Sequence, residues 1–138
     1  MGLPGRVALS FTREATSARR AVVSALKDVK RVIPGASLIE ISPDFVGLTE
    51  VAERVGVSRQ NMRKLMLAYP ESFPAPVHEG SAALWHLLPV LQWLENRGGY
   101  TIKQRLLEVA HIAMQVNLAK EAGYIERPLQ REVQALLA

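Results

Sequence analysis

Cysteine is absent from the 138 residues, which excludes disulfide scaffolds, thiol nucleophiles and cysteine-ligated zinc and fits a reducing compartment. Aspartate is nearly absent, with only Asp28 and Asp44, and His78, His86 and His111 stand at no ligand-like spacing. No metal site and no cofactor is therefore expected. No apolar run approaches the ~18 residues of a membrane span, and Met1–Arg6 lacks the apolar core of a signal peptide. The default expectation is a cytoplasmic protein without membrane contact. A P-loop, a G-x-S-x-G element and a recognisable carboxylate pair are also missing, so an enzyme is disfavoured. Aromatic residues are scarce at 6%, yet apolar residues make up 49%. That supplies ample material for a core and excludes disorder as the main state.

Charge of one sign is only mildly in excess. Lys plus Arg number 17 against 13 Asp plus Glu, giving +4 and a pI near 9.8. Such a balance permits a polyanionic partner without requiring one. Residues 1–47 carry seven basic and four acidic side chains, 48–97 five of each, and 98–138 five and four. No block is a charged tail, so any nucleic-acid contact must come from local placement.

The N-terminal third changes period twice. Residues 6–12 alternate apolar side chains at Val7, Leu9 and Phe11, a strand pattern. Residues 15–33 then space Ala18, Val22, Ala25, Leu26, Val29 and Val32 as one helix face, with Thr16 or Ser17 available as N-cap. Pro34-Gly35 ends that helix, and residues 37–42 read as a second strand. The expectation is a β-α-β unit with parallel strands. Two short strands make no stable sheet alone, so further strands are expected from a second copy or from residues upstream of Met1. Arg19-Arg20 and Lys30-Arg31 could touch DNA, but a solvated helix face is the favoured reading.

The most informative stretch is Thr49 to Leu65, TEVAERVGVSRQNMRKL. A helix-turn-helix requires a small residue where its helices cross and, four residues on, one tolerant of positive φ; Ala52 and Gly56 meet both requirements. Val51, Val55, Val57, Met62 and Leu65 fall at inward positions, and Ser58 stands where the second helix needs an N-cap. On a wheel of the second helix, Met62, Leu65, Met66 and Tyr69 share one side. Gln60, Arg63, Lys64 and Leu67 lie opposite, with Arg59 and Asn61 at the edges. The outer side thus carries the groups that recognise base edges and phosphates. Arg63, Gln60 and Asn61 are the expected base readers. Arg59, Lys64 and Thr49 are the expected phosphate contacts, helped by the helix N-terminus at Ser58.

Tyr69-Pro70 ends the second helix. Residues 73–78 must be extended, 79–81 form a turn, and 82–85 return as a strand. The series Phe73-Pro74-Ala75-Pro76-Val77-His78-Glu79-Gly80-Ser81, then Trp85, then Val90-Leu91-Gln92-Trp93-Leu94, resembles the wing and following helix of excisionase-like and AlpA-like regulators, relatives of the MerR class. The resemblance covers about residues 46–97. It implies a winged helix-turn-helix DNA-binding domain (46–98); with the β-α-β unit (1–45) before it and C-terminal helices (99–138) after it, the expected fold is α+β. It also implies that Gly80 and Ser81, in the wing turn, approach the DNA backbone. The wing departs from the family's usual basic character by carrying His78 and Glu79. His78 could reach a phosphate, though a solvated loop histidine is favoured. Trp85 and Trp93 are expected to be core anchors.

Pro89 fits the first turn of a helix running to Arg97. A longer helix over 101–122 bears two apolar stripes, Ile102, Leu106, Val109, Ala110, Ala113 and Val116 on one side and Leu107, Met114 and Leu118 on another. A helix apolar on two sides must be covered twice, and Pro128 opens a last helix to Leu137. These features predict a homodimeric, sequence-specific regulator on double-stranded DNA. A second reading is a protein-binding module such as an antitoxin, with its partner on the C-terminal helix or the β-α-β unit; recombination directionality factors are a third.

Overall fold

A computed structural model describes residues 5–11 and 16–138. The chain divides into two compact units, Met1–Ser37 and Leu38–Ala138, and each is taken by itself. Among the described residues the fold is mixed, six helices with a small antiparallel two-stranded sheet, broadly α+β as expected. Among the described residues no helix is long and apolar enough to cross a membrane.

The first unit contains helix α1, Ala18–Val32. Ser17 is its N-cap, accepting a hydrogen bond from the Arg20 N–H at 3.1 Å. The strands expected on either side are not formed: residues 6–11 and 36–41 have no regular secondary structure, and Thr12 lies outside the described residues. Val7 and Leu9 are 74% and 53% exposed, so the alternation is present without the burial that would make it a strand. The physical reason is the shortage of partners. A strand satisfies its backbone only through a neighbour, and among the described residues the only sheet lies elsewhere, in the second unit.

In the second unit, strand β1 (Phe45–Val46) leads into helix α2 (Leu48–Val55). After a turn comes helix α3 (Arg59–Ala68), then strand β2 (Trp85–His86) and helix α4 (Leu87–Arg97). Helices α5 (Gln104–Ala122) and α6 (Arg127–Leu137) complete it. β1 and β2 run antiparallel, pairing Phe45 with His86 and Val46 with Trp85. The core gathers Val51, Met62, Leu87, Val90, Leu91 and Leu94, all fully buried, with Trp85, Phe73, Leu107 and Ala110 around them. Burying each large aliphatic side chain stabilises by ~1.5–3 kcal/mol. Because Leu107 and Ala110 belong to this same core, it crosses the division expected at 98/99.

The C-terminal helices differ from expectation in which face they bury. On α5 the inward line is Leu107, Ala110, Ala113 and Asn117, while Ile102, Leu106 and Met114 pack partly against the core. Among that helix's large apolar residues Leu118 is the exposed one; the more extensive exposure is on α6, which buries nothing and leaves Leu129, Val133, Leu136 and Leu137 in solvent.

Asn117 is the unexpected member of the core, and its partner is Asp44; both are about 1% exposed. The Asn117 amide donates to Asp44 Oδ2 at 2.9 Å and to the Ile41 carbonyl at 2.8 Å, and its oxygen accepts from the Ile41 N–H at 2.8 Å. The other carboxylate oxygen accepts from His86 Nδ1 at 2.7 Å, and the Asp44 carbonyl accepts the Leu87 N–H at 2.7 Å. Each buried polar group is thereby paired. Asn117→Leu, branched alike at Cγ, removes one of the two side-chain partners of a buried carboxylate and both bonds of Ile41. It is expected to lower stability by ~2–4 kcal/mol in denaturant melts, whereas Met114→Leu on the same helix should cost under ~1.5 kcal/mol.

Candidate functional site

Three local devices place α3. The first is the turn before it. Gly56 caps α2 at φ 75° and ψ 32°, and both its N–H and that of Val57 donate to the Ala52 carbonyl. Ala52 and Val51 are buried, and Val55 and Val57 pack against the core, so the inward positions expected from the sequence are occupied as such. The second is the cap: Ser58 Oγ accepts from the Asn61 N–H at 3.1 Å. Glu50 holds the start of α2 in a related way, accepting from the Gly47 N–H at 3.0 Å.

The third device is an aromatic clamp on the C-terminal end of α3. Tyr69 lies 5.8 Å from Trp93, and Phe73 contacts Trp93 and Trp85 edge-on at 5.1 and 6.2 Å. The Arg97 guanidinium sits 4.2 Å from the Tyr69 ring centre, an attraction of ~0.5–2 kcal/mol. Trp85 Nε1 donates to the Pro74 carbonyl and Trp93 Nε1 to Ser72 Oγ. Both tryptophans are thus structural anchors, as expected.

With its ends fixed and Met62 and Leu65 buried, α3 turns Arg59, Gln60, Arg63, Lys64 and Leu67 to solvent, with Asn61 half-buried. Ten residues hold three cations and no carboxylate. Ser58, Gln60, Asn61, Arg63, Lys64 and Leu67 line one shallow depression. Thr49, on the first turn of α2, instead joins Arg59, Gly80 and Ser81 along a larger groove of about 1070 Å³, and Arg63 borders both hollows. The expected residues are therefore brought together in two sets that meet at Arg63.

His78 falls outside both sets. It is exposed and forms a single antiparallel bridge with Leu84, closed by the His78 carbonyl accepting the Leu84 N–H at 3.0 Å. The hairpin expected over 76–85 is reduced to this bridge and the turn at Gly80, φ 127°, because Trp85 and His86 pair with β1 instead.

Leu67, placed on the outer side by the helix wheel, is 61% exposed and lies in the α3 depression, an apolar contact point among polar ones. The grouping of acids around the larger groove is what the sequence reading missed. Glu50, Glu71 and Glu79 line the larger groove and outnumber its two arginines. Glu79 was visible beside the turn; Glu71 gave no local signal. Chemically, the α3 depression offers guanidinium, ammonium and amide donors without a competing carboxylate. Among the described residues no three His, Asp or Glu side chains are grouped to hold a metal ion.

No family model matches the chain, and neither the curated proteins nor the solved structures include a significant match.

The turn can be tested directly. A Cβ at Gly56 would meet no atom within 4 Å, so any penalty there is conformational. Gly56→Val is expected to cost ~1–3 kcal/mol in thermal melts, since a β-branched residue is strained at positive φ, and Gly56→Asn clearly less.

Proposed function

We propose that the chain is a non-enzymatic, sequence-specific regulator that binds double-stranded DNA as a winged helix-turn-helix homodimer. The observation that carries this reading is α3: a helix anchored at both ends whose solvent side holds Arg59, Gln60, Arg63 and Lys64 and no acid. Laid in a major groove, Arg63 suits guanine O6 and N7, Gln60 and Asn61 suit adenine, and Leu67 suits a thymine methyl. Lys64, Arg59 and the N-terminus capped by Ser58 suit phosphates. α2, Gly56 and α3 form the helix-turn-helix of this reading, and the His78–Leu84 bridge with Gly80 and Ser81 is its short wing.

A single α3 contacts few base pairs, so two-fold pairing on a palindrome accompanies this function. The apolar line Leu129, Val133, Leu136 on α6 is the pairing surface, because contiguous exposed apolar side chains at helical spacing mark an interface. An antitoxin-like role would use the same line for a different protein.

The test is fluorescence anisotropy on duplexes from the protein's own promoter region. Arg63→Ala should cost ~1–3 kcal/mol on the specific site and relax discrimination at one base position. Lys64→Ala should weaken all sequences alike and flatten the salt dependence by about one contact. Equal, sequence-independent losses for both would show that α3 does not read bases. Light scattering should find a dimer that the double variant Leu129→Glu/Leu136→Glu converts to monomer with weaker palindrome binding. A monodisperse wild-type monomer would remove the pairing from the proposal.

A further inference from the structure

The two units divide the chain's charge unevenly. Leu38–Ala138, which contains α3, has ten Lys and Arg against eleven Asp and Glu; Met1–Ser37 has seven against two. The three cations of α3 thus belong to a unit whose charges otherwise favour acid. Affinity for duplex DNA rests largely on neutralising phosphates, and the chain's net positive charge lies in the first unit, +5 against −1 in the second.

Five of those seven stand on α1: Arg19, Arg20, Lys27, Lys30 and Arg31, every one exposed. At 3.6 residues per turn they fall within an arc of about 120°. The opposite arc holds Ala18, Ala21, Val22, Ala25, Leu26 and Val29, buried or half-buried, and the exposed Val32 at the helix end; the exposed Val23 stands among the cations. One acid, Asp28, stands at the margin and pairs with Arg31 at 3.2 Å. From Arg19 to Arg31 the face runs about 18 Å at 1.5 Å per residue. A duplex presents several phosphates over that length.

We propose that the basic face of α1 is a second contact with duplex DNA, one that grips backbone phosphates and reads no bases. It rests on the reading of the chain as a duplex-binding protein and adds the source of its sequence-independent affinity. An anionic membrane is the less fitting partner. Helices that lie in a membrane surface insert Trp, Phe and Leu, whereas the apolar side of α1 is alanine and valine with one leucine and is mostly covered.

The experiment compares the full-length wild type with Arg19→Gln/Arg20→Gln/Lys27→Gln/Lys30→Gln, binding a labelled mixed-sequence duplex and a promoter duplex over a salt series. The variant should lose about 3–4 from the slope of log affinity against log salt and at least about tenfold in affinity at low salt. The loss should be the same on both duplexes, so their affinity ratio stays unchanged. Arg19→Lys/Arg20→Lys should retain the wild-type slope. Should the quadruple variant lose helicity by circular dichroism, Lys27→Gln/Lys30→Gln takes its place with a slope loss of about two. Unchanged slopes in the glutamine variants, with Arg63→Ala still relaxing discrimination, would overturn the α1 contact and leave the α3 reading standing. Slope losses with no effect of Arg63→Ala would support α1 and remove α3 as the reader. Absence of duplex binding by the wild type, with charge-dependent binding to phosphatidylserine–phosphatidylcholine vesicles, would overturn both in favour of a membrane.

Discussion

The fold of the second unit turns on one buried carboxylate. Asp44 is taken out of water, and a charge in that position is tolerated only when every lone pair that matters has a partner. His86 and Asn117 each take one oxygen, and Asn117 closes the arrangement on both backbone groups of Ile41. These bonds join three segments far apart in sequence: the lead into β1, the junction of β2 with α4, and the middle of α5. The Asp44 carbonyl also receives the Leu87 N–H at the start of α4. An apolar core alone would let these elements slide by fractions of a turn; directional bonds to one carboxylate give them a single register.

That register is passed to α3 through packing. α2 starts four residues after Asp44, and its buried Val51 and Ala52 meet Met62 and Leu65 of α3 in the core that α4 completes. The Ser58 cap holds one end of α3, and Tyr69, Phe73, Trp93 and Arg97 hold the other. The side chains left to solvent project from a backbone already fixed, so a ligand meeting them has little chain ordering to impose. The arrangement concentrates rigidity in the helix and adaptability in four long side chains, Arg59, Gln60, Arg63 and Lys64.

The parts of this architecture that were legible in the sequence are those whose requirements are local. Ala52, Gly56 and Ser58 announce two helices and a turn within seven residues, and proline or glycine marks the ends of α3, α4 and α6. The strands expected at 6–12 and 37–42 failed for a complementary reason. Alternation specifies which side chains share a face, but pairing depends on a neighbour that the pattern does not name. Asn117 was hidden by the same non-locality. Its amide makes sense only beside Asp44, 73 residues earlier, and without that partner the wheel of α5 favours the stripe of Leu106, Val109, Ala110 and Ala113 over a buried line that runs from Leu107 through Ala110 and Ala113 to Asn117. Of the candidate site, the α3 residues were readable from one helix wheel. The acids facing the larger groove were not, since Glu50, Glu71 and Glu79 come together only once three segments fold around it.

Those acids bear on how α3 can meet a polyanion. A phosphate entering the larger groove would approach three carboxylates against Arg59 and Arg63, and only Glu50 is occupied by a hydrogen bond to Gly47. Like-charge approach is costly at close range and more so as water is excluded. The depression along Ser58, Gln60, Asn61, Arg63, Lys64 and Leu67 has no such opposition. In the duplex-binding reading, a backbone strand is steered to the Ser58–Lys64 edge, and the acidic side of the groove disfavours the reversed orientation. Arg63, which borders both hollows, is then the residue on which orientation and base reading coincide. In the same reading a cation in the first unit would act differently, adding attraction for any duplex without favouring one orientation of α3. Specific reading and general affinity would then be separable properties, carried by different helices.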